Sequence, residues 1–261
     1  MALSRQTISK LLFSQEQVAG NASAIYEAVL QGSPHIRRGN FEELRSADLA
    51  FLFRHYDERV FTGLLQKKLE EADATPIRFR PSRRLTKNGG YTRQIKKNTP
   101  KGRRVSYEIA IAADMLFQAF NEDHREITVN GGVCTDRLQA MQRVFEHELI
   151  HLVELLFWGT SSCRQDRFQS LARRIFGHTE YTHRLITRTE RAKAIYGIGV
   201  GERVSFSFEG SRRTGVVNRI TKRATVLVES ENGQRYSNGK RYAKYYVPLE
   251  ALRRVEGRAI R

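Results

Sequence analysis

Glu146-His147-Glu148-Leu149-Ile150-His151 lies inside an apolar, helix-forming stretch that ends near Trp158. Asp136 with Gln139 makes a predicted capping box at its start, and Leu138, Met141, Phe145, Leu149, Leu152 and Leu156 then recur at helical spacing. Residues four apart share one helix face, so His147 and His151 can aim two imidazoles at one metal ion. Glu148 sits one step round, beside the position of a metal-bound water. Zinc lowers the pKa of such a water towards neutrality, and a carboxylate can take its proton and pass it on. This is the pattern of a metal-dependent hydrolase, typically one that cuts peptide bonds. The histidines fall in the second half of a largely buried helix, where an unpartnered polar group is costly, and this favours a metal site over a fortuitous pair.

Outward from this helix the chain changes texture twice. Residues 1 to about 73 read as helical; Leu49, Leu52, Phe53, Tyr56, Val60 and Phe61 are spaced for one buried face, and Gly63 breaks the pattern. Ile77-Arg78-Phe79 and Val105 to Ile111 alternate as strands, and a short helix is predicted from Asp114 to Phe120. Glu126 to Asn130 is a further candidate strand, and a helix from about Asp166 to Phe176 is closed by Gly177. From Gly197 onward, short β-rich runs at Val204–Phe208, Thr214–Ile220, Ala224–Val228 and Tyr242–Val247 suggest a small, strongly bent barrel. The expected class is therefore α+β, with a motif helix on a small sheet, helices before it and an all-β unit after it.

Charge supplies the second clue. Lys and Arg number 45 against 28 acidic residues, a formal net of +17, which favours a polyanionic partner, nucleic acid first. Between Ala74 and Tyr107 there is no acidic residue, yet Arg78, Arg80, Arg83, Arg84, Lys87, Arg93, Lys96, Lys97, Lys101, Arg103 and Arg104 all fall there. Gly89, Gly90, Pro100 and Gly102 make much of this segment loop-like, and Phe79, Tyr91 and Tyr107 offer stacking surfaces beside the cations. No apolar run reaches membrane-spanning length and the N-terminus lacks signal-peptide order, so no membrane partner is expected. Two cysteines in 261 residues do not suggest a disulfide framework, which makes the cytoplasm the default location, nucleoid-associated in a prokaryote.

Leu52-Phe53, Tyr56, Phe61, Gly63 and Leu65 resemble the opening helix of the SprT-like zinc metallopeptidases. Tyr107 to Ile111 followed by Leu116 resembles their sheet strand, and His147–His151, Phe168-x-x-Leu171 and Thr182-His183 continue the series in order. The resemblance covers roughly residues 47 to 190, and only the zinc motif is specific on its own. It implies a zincin-like domain over 47–195 after an N-terminal helical extension (1–46), with Zn2+ as cofactor, Glu148 as general base and protein as substrate. The family includes proteins that degrade DNA-crosslinked proteins, which makes nucleic acid, DNA above all, the implied partner. Residues 197–256 resemble an SH3-like or KOW-type barrel.

One departure concerns the third ligand. The family has a histidine about a dozen residues after the second, in a His-Gly pair; here the chain reads Ser161-Ser162-Cys163-Arg164-Gln165. Cys163 is the best ligand in that stretch, and a thiolate would make zinc a weaker Lewis acid than an imidazole would. His178 and His183 are the alternative ligands, and Tyr181 or a histidine is a candidate oxyanion donor. Other zinc-hydrolase patterns fit less well: Glu154 and Phe157 stand where the metzincin continuation needs Gly and His, and Leu171 where a thermolysin-like site needs Glu. Cys134 reads as a core thiol. A different class also fits, a nucleic-acid-binding protein whose zinc is structural and which has little or no proteolytic activity; a closed four-ligand site would mark it.

Overall fold

The computed structural model describes residues 5–72, 77–100, 102–120 and 126–255. Lys101 lies outside the described residues. The chain divides into two compact units, Met1–Leu185 and Ile186–Arg261.

Unit 1 opens with four helices, α1 (Arg5–Lys10), α2 (Gln15–Gly32), α3 (Ser46–Val60) and α4 (Leu64–Glu71). The helices of 1–46 belong to this same unit, and α2 packs on α3 and on the motif helix. α3 starts at Ser46 because the Asp48 carboxylate accepts from the Arg45 N–H at 2.8 Å, and it stops where Gly63 turns left-handed at φ 75°. Its predicted face is buried: Leu49, Leu52, Phe53, Tyr56 and Val60 all point inward.

Three strands follow, β1 (Arg78–Pro81), β2 (Gly90–Thr99) and β3 (Gly102–Ile111), in the order β1-β3-β2. β1 runs parallel to β3, and β2 runs antiparallel to it from Gly90↔Ile111 to Thr99↔Gly102. The segment expected to be largely loop is therefore half of a long hairpin. Its glycines and proline punctuate the ends of the two strands, and the cations on alternate positions hide the period-two pattern that apolar residues would have given.

After α5 (Ala113–Gln118) comes a small hairpin, β4 (Ile127–Val129) and β5 (Gly132–Cys134), joined by Asn130-Gly131 with φ of 50° and 79°. Two positive φ values in a two-residue loop are the geometry that Asn-Gly favours. The motif helix α6 (Arg137–Trp158) then crosses the sheet, and α7 (Asp166–Phe176) packs beside it. Asp136 caps α6 as expected, accepting from Gln139 N at 2.8 Å, but the Gln139 side chain returns to Thr135 N, one residue earlier than a capping box requires.

Unit 2 holds α8 (Arg188–Tyr196), a short 3-10 turn at Leu249–Ala251 and a five-stranded antiparallel sheet: β6 (Arg203–Phe208), β7 (Ser211–Ile220), β8 (Ala224–Arg235), β9 (Arg241–Val247) and β10 (Arg253–Arg254), in the order β10-β6-β7-β8-β9. Ala192 of α8 and Ile198 share its core with Val204, Phe206, Val217 and Val226. The boundary anticipated at 195–197 thus falls inside this unit, at the C-terminal end of α8, which contributes to its core.

The two faces of the β1-β3-β2 sheet differ. Phe79 on the inner face meets Phe145 of α6 at 6.3 Å and Phe53 of α3 at 5.3 Å. Phe145 is fully buried and also packs on Tyr56, so Phe145→Ala is expected to lower unfolding free energy by about 3–5 kcal/mol, read from urea denaturation.

Candidate metal centre

α6 delivers His147 and His151 one turn apart, with their Nε2 atoms 3.2 Å from each other. Phe168 of α7 packs against both rings, at 4.8 Å and 4.5 Å. The loop between α6 and α7 brings in Cys163, and the ligand atoms of His147, His151 and Cys163 all lie within 4.8 Å of one another. Around a tetrahedral zinc, nitrogen–nitrogen and nitrogen–sulfur edges are about 3.3–3.6 Å. The imidazole pair matches that spacing, and the group could hold a metal ion.

Burial shapes the chemistry of the donors. It pushes the His147 imidazole down to about 3, helped by the neighbouring His151, His178 and His183, and it pushes His151 down to about 4. Both rings are therefore neutral near pH 7, the form that binds metals. His147 Nδ1 is buried without a hydrogen-bond partner among the described residues, whereas His151 Nδ1 meets Ser161 Oγ at 2.7 Å.

Glu148 is 3 % exposed, and burial pushes its carboxyl up to about 8, against the opposing hydrogen bond from Thr92. Thr92 Oγ1 lies 2.8 Å from Glu148 Oε2 and 2.9 Å from its backbone oxygen. Edge strand β2 thereby orients the carboxyl from one side. The other oxygen sits over Gly90, where an added Cβ would come within 2.8 Å of Oε1 and 2.9 Å of the Ala110 carbonyl. Only glycine leaves that room.

These groups line a cleft of about 610 Å³. Lys87 to Thr92, His147, Glu148, His151, Asn130, Tyr181, Thr182 and His183 all line it, and the His183 ring lies close to Gly89, where an added Cβ would come within 3.2 Å of it. Backbone pairing holds Asn130 and the 181–183 segment together: Asn130 N donates to Thr182 O at 2.8 Å, Arg184 N donates to Thr128 O at 2.8 Å, and Val129 bridges His183. Tyr181 is 46 % exposed, with His183 beside it in the cleft lining. His178 is elsewhere. Its Nε2 pairs with Glu146 Oε2 at 2.8 Å inside the core, and the other oxygen of Glu146 accepts from Tyr56 at 2.8 Å.

The basic residues separate by strand register. Arg78, Arg80, Arg93, Lys97 and Arg104 occupy the outer face of the sheet, opposite the face that meets α6. Lys96 alternates to the inner side, Arg103 is paired through its backbone with Asn98, Lys87 lines the cleft, and Arg83 and Arg84 border a separate cavity with Glu42 and Glu43. Arg80 and Arg93 are partly neutralised. Both reach Glu108, at 3.6 Å and 2.9 Å, and both guanidinium groups lie over the Tyr91 ring. Burial pushes the Glu108 carboxyl up, but the Tyr91 hydrogen bond and the two arginines outweigh it and hold the group below its ordinary value.

Thr92, Gly90 and Ser161 have no place in the sequence reading of the site. The Gly89-Gly90 doublet beside a strand was the available signal of a close backbone approach. Ser161 carries no signal of its own, because only the fold brings its hydroxyl to His151. If Cys163 is a ligand, Co2+ added to the protein produces thiolate-to-metal absorption that Cys163→Ser abolishes while weakening binding. An unchanged spectrum in that variant would remove Cys163 from the centre.

Comparison of the chain with protein-family models, curated proteins and solved structures finds no match, so the reading of the centre rests on its own geometry and donor chemistry.

Proposed function

We propose that the protein is a zinc-dependent endopeptidase of the SprT-like type, acting on nucleic-acid-associated proteins. The observation that carries this reading is the convergence of three donor side chains and one buried carboxyl in a single cleft. Two imidazoles and a thiolate suit zinc among the common divalent ions. A structural zinc is closed by four protein ligands; the group here comprises three among the described residues and lines an open cleft, which supports catalysis over a purely structural role.

The chain's own residues divide the work. A bound zinc would supply a polarised water and a Lewis acid for the scissile carbonyl. A metal cation beside Glu148 would favour the charged form that burial disfavours, and the carboxylate, held by Thr92 and given space by Gly90, would then accept the proton of the attacking water and return it to the leaving amine. Among the described residues β2 pairs only with β3, so its other edge along Gly90 to Thr92 can take an extended polypeptide by strand addition. Tyr181 and His183 line the same cleft, where they can donate to a developing oxyanion.

The nucleic-acid part rests on the cationic outer sheet face and the formal charge of +17. Contacts there would be to phosphates, because Tyr91 is covered by two arginines instead of being offered for base stacking.

Two measurements test the proposal. Glu148→Gln is expected to keep its metal and to lose degradation of a DNA-bound protein by about 100-fold or more; full activity in that variant or after chelation would sink it. DNA binding is expected to weaken steeply with salt, and Lys97→Glu with Arg104→Glu should reduce the slope of log K against log salt by about 2. Salt-independent binding would count against phosphate contacts.

A further inference from the structure

We infer that Glu154, which makes no hydrogen bond to any of the three donor residues, positions two of them: it holds His151 through Ser161, and it folds the loop that presents Cys163. The inference rests on reading His147, His151 and Cys163 as a metal centre.

Glu154 follows His151 by three residues on α6 and is 0 % exposed. A carboxylate so placed must find hydrogen bonds, and it finds them all in the segment after the helix. Oε2 accepts from Ser161 Oγ at 2.6 Å and from Ser162 N at 3.2 Å. Oε1 accepts from Arg167 Nε at 2.6 Å. Arg167 in turn donates to Thr160 O at 3.2 Å and lies over the Trp158 ring at 5.0 Å. Residues 158, 160, 161, 162 and 167 are thus gathered round one side chain. Cys163 follows the last anchored residue of the loop, and its carbonyl is held by Gln169 Nε2 at 3.3 Å.

The same carboxylate decides which nitrogen of His151 is free. Ser161 has one hydroxyl proton and directs it to Glu154. Its oxygen lone pair therefore accepts from His151 Nδ1–H at 2.7 Å, which leaves the Nε2 lone pair facing His147 Nε2. Among the described residues His147 Nδ1 has no hydrogen-bond partner, so the hydrogen bonding that orients the imidazole pair comes from the His151 side.

Glu154 and Ser161 are positioning residues, so metal binding by the full chain, measured without any substrate, tests them. Ser161→Ala is expected to weaken Co2+ binding roughly 10- to 100-fold while keeping the thiolate absorption, because only the His151 relay is lost. Ser161→Thr keeps a hydroxyl and is expected to bind like the parent. Glu154→Gln is expected to lose affinity and also to diminish the thiolate absorption, because the loop loses its anchor. Should Glu154→Gln fail to fold, the Ser161 pair still decides. Parent-like affinity in Ser161→Ala would overturn the relay, and a full thiolate band in folded Glu154→Gln would overturn the loop anchor. A parent protein that binds no Co2+ would instead count against the metal centre itself.

Discussion

Glu146, Glu148 and Glu154 lie on one helix at 4 %, 3 % and 0 % exposure, where an ionised carboxylate costs several kcal/mol unless it is hydrogen-bonded or paired. Each is hydrogen-bonded by a different part of unit 1, although burial still pushes the Glu148 carboxyl up to about 8. Glu146 takes Tyr56 from α3 and His178 from the turn after α7; Glu148 takes Thr92 from β2; Glu154 takes Ser161 and Arg167 from the loop and first turn of α7. The apolar side chains of α6 draw these elements in without direction. The carboxylates give them direction, so the partners that satisfy the helix also fix the walls of the cleft.

This dependence explains what was legible in the sequence. The helices were, because their apolar spacing and stop signals are local: α7 runs from Asp166 to Phe176 as its pattern predicts, and Gly177 closes it at φ 65°. His147, Glu148 and His151 were legible because a helix converts spacing into shared direction. β2 was not. On it, Thr92, Gln94 and Lys96 alternate with Tyr91, Arg93, Ile95 and Lys97, so neither face reads as apolar, although Thr92 reaches the buried Glu148. The roles of Ser161 and Arg167 depend on a loop closing round a buried group, and no periodicity reports that. Glu154 reads as one more polar residue on a helix until its burial is known.

The same reasoning sorts the charges. In the sequence the cations from Arg78 to Arg104 form one undivided run. Register divides them between an outer face, a loop, the cleft and an inner position, and Glu108 answers two of them. The full formal charge therefore overstates what a partner meets on that face. Arg78, Lys97 and Arg104 are exposed on that face and form no ion pair among the described residues.

β2 carries both kinds of residue, with Gly90 and Thr92 at the cleft and Lys97 seven residues beyond Gly90. Seven residues of strand extend about 24 Å at roughly 3.4 Å each. The Debye length at physiological ionic strength is about 8 Å, so ions in solution screen the cations at the far end of the hairpin from the Glu148 carboxyl. A phosphate backbone docked there would act only weakly on the proton affinity of the cleft. The hairpin behaves as an insulated handle: it can tether the protein to a polyanion while barely retuning the acid–base groups at its other end.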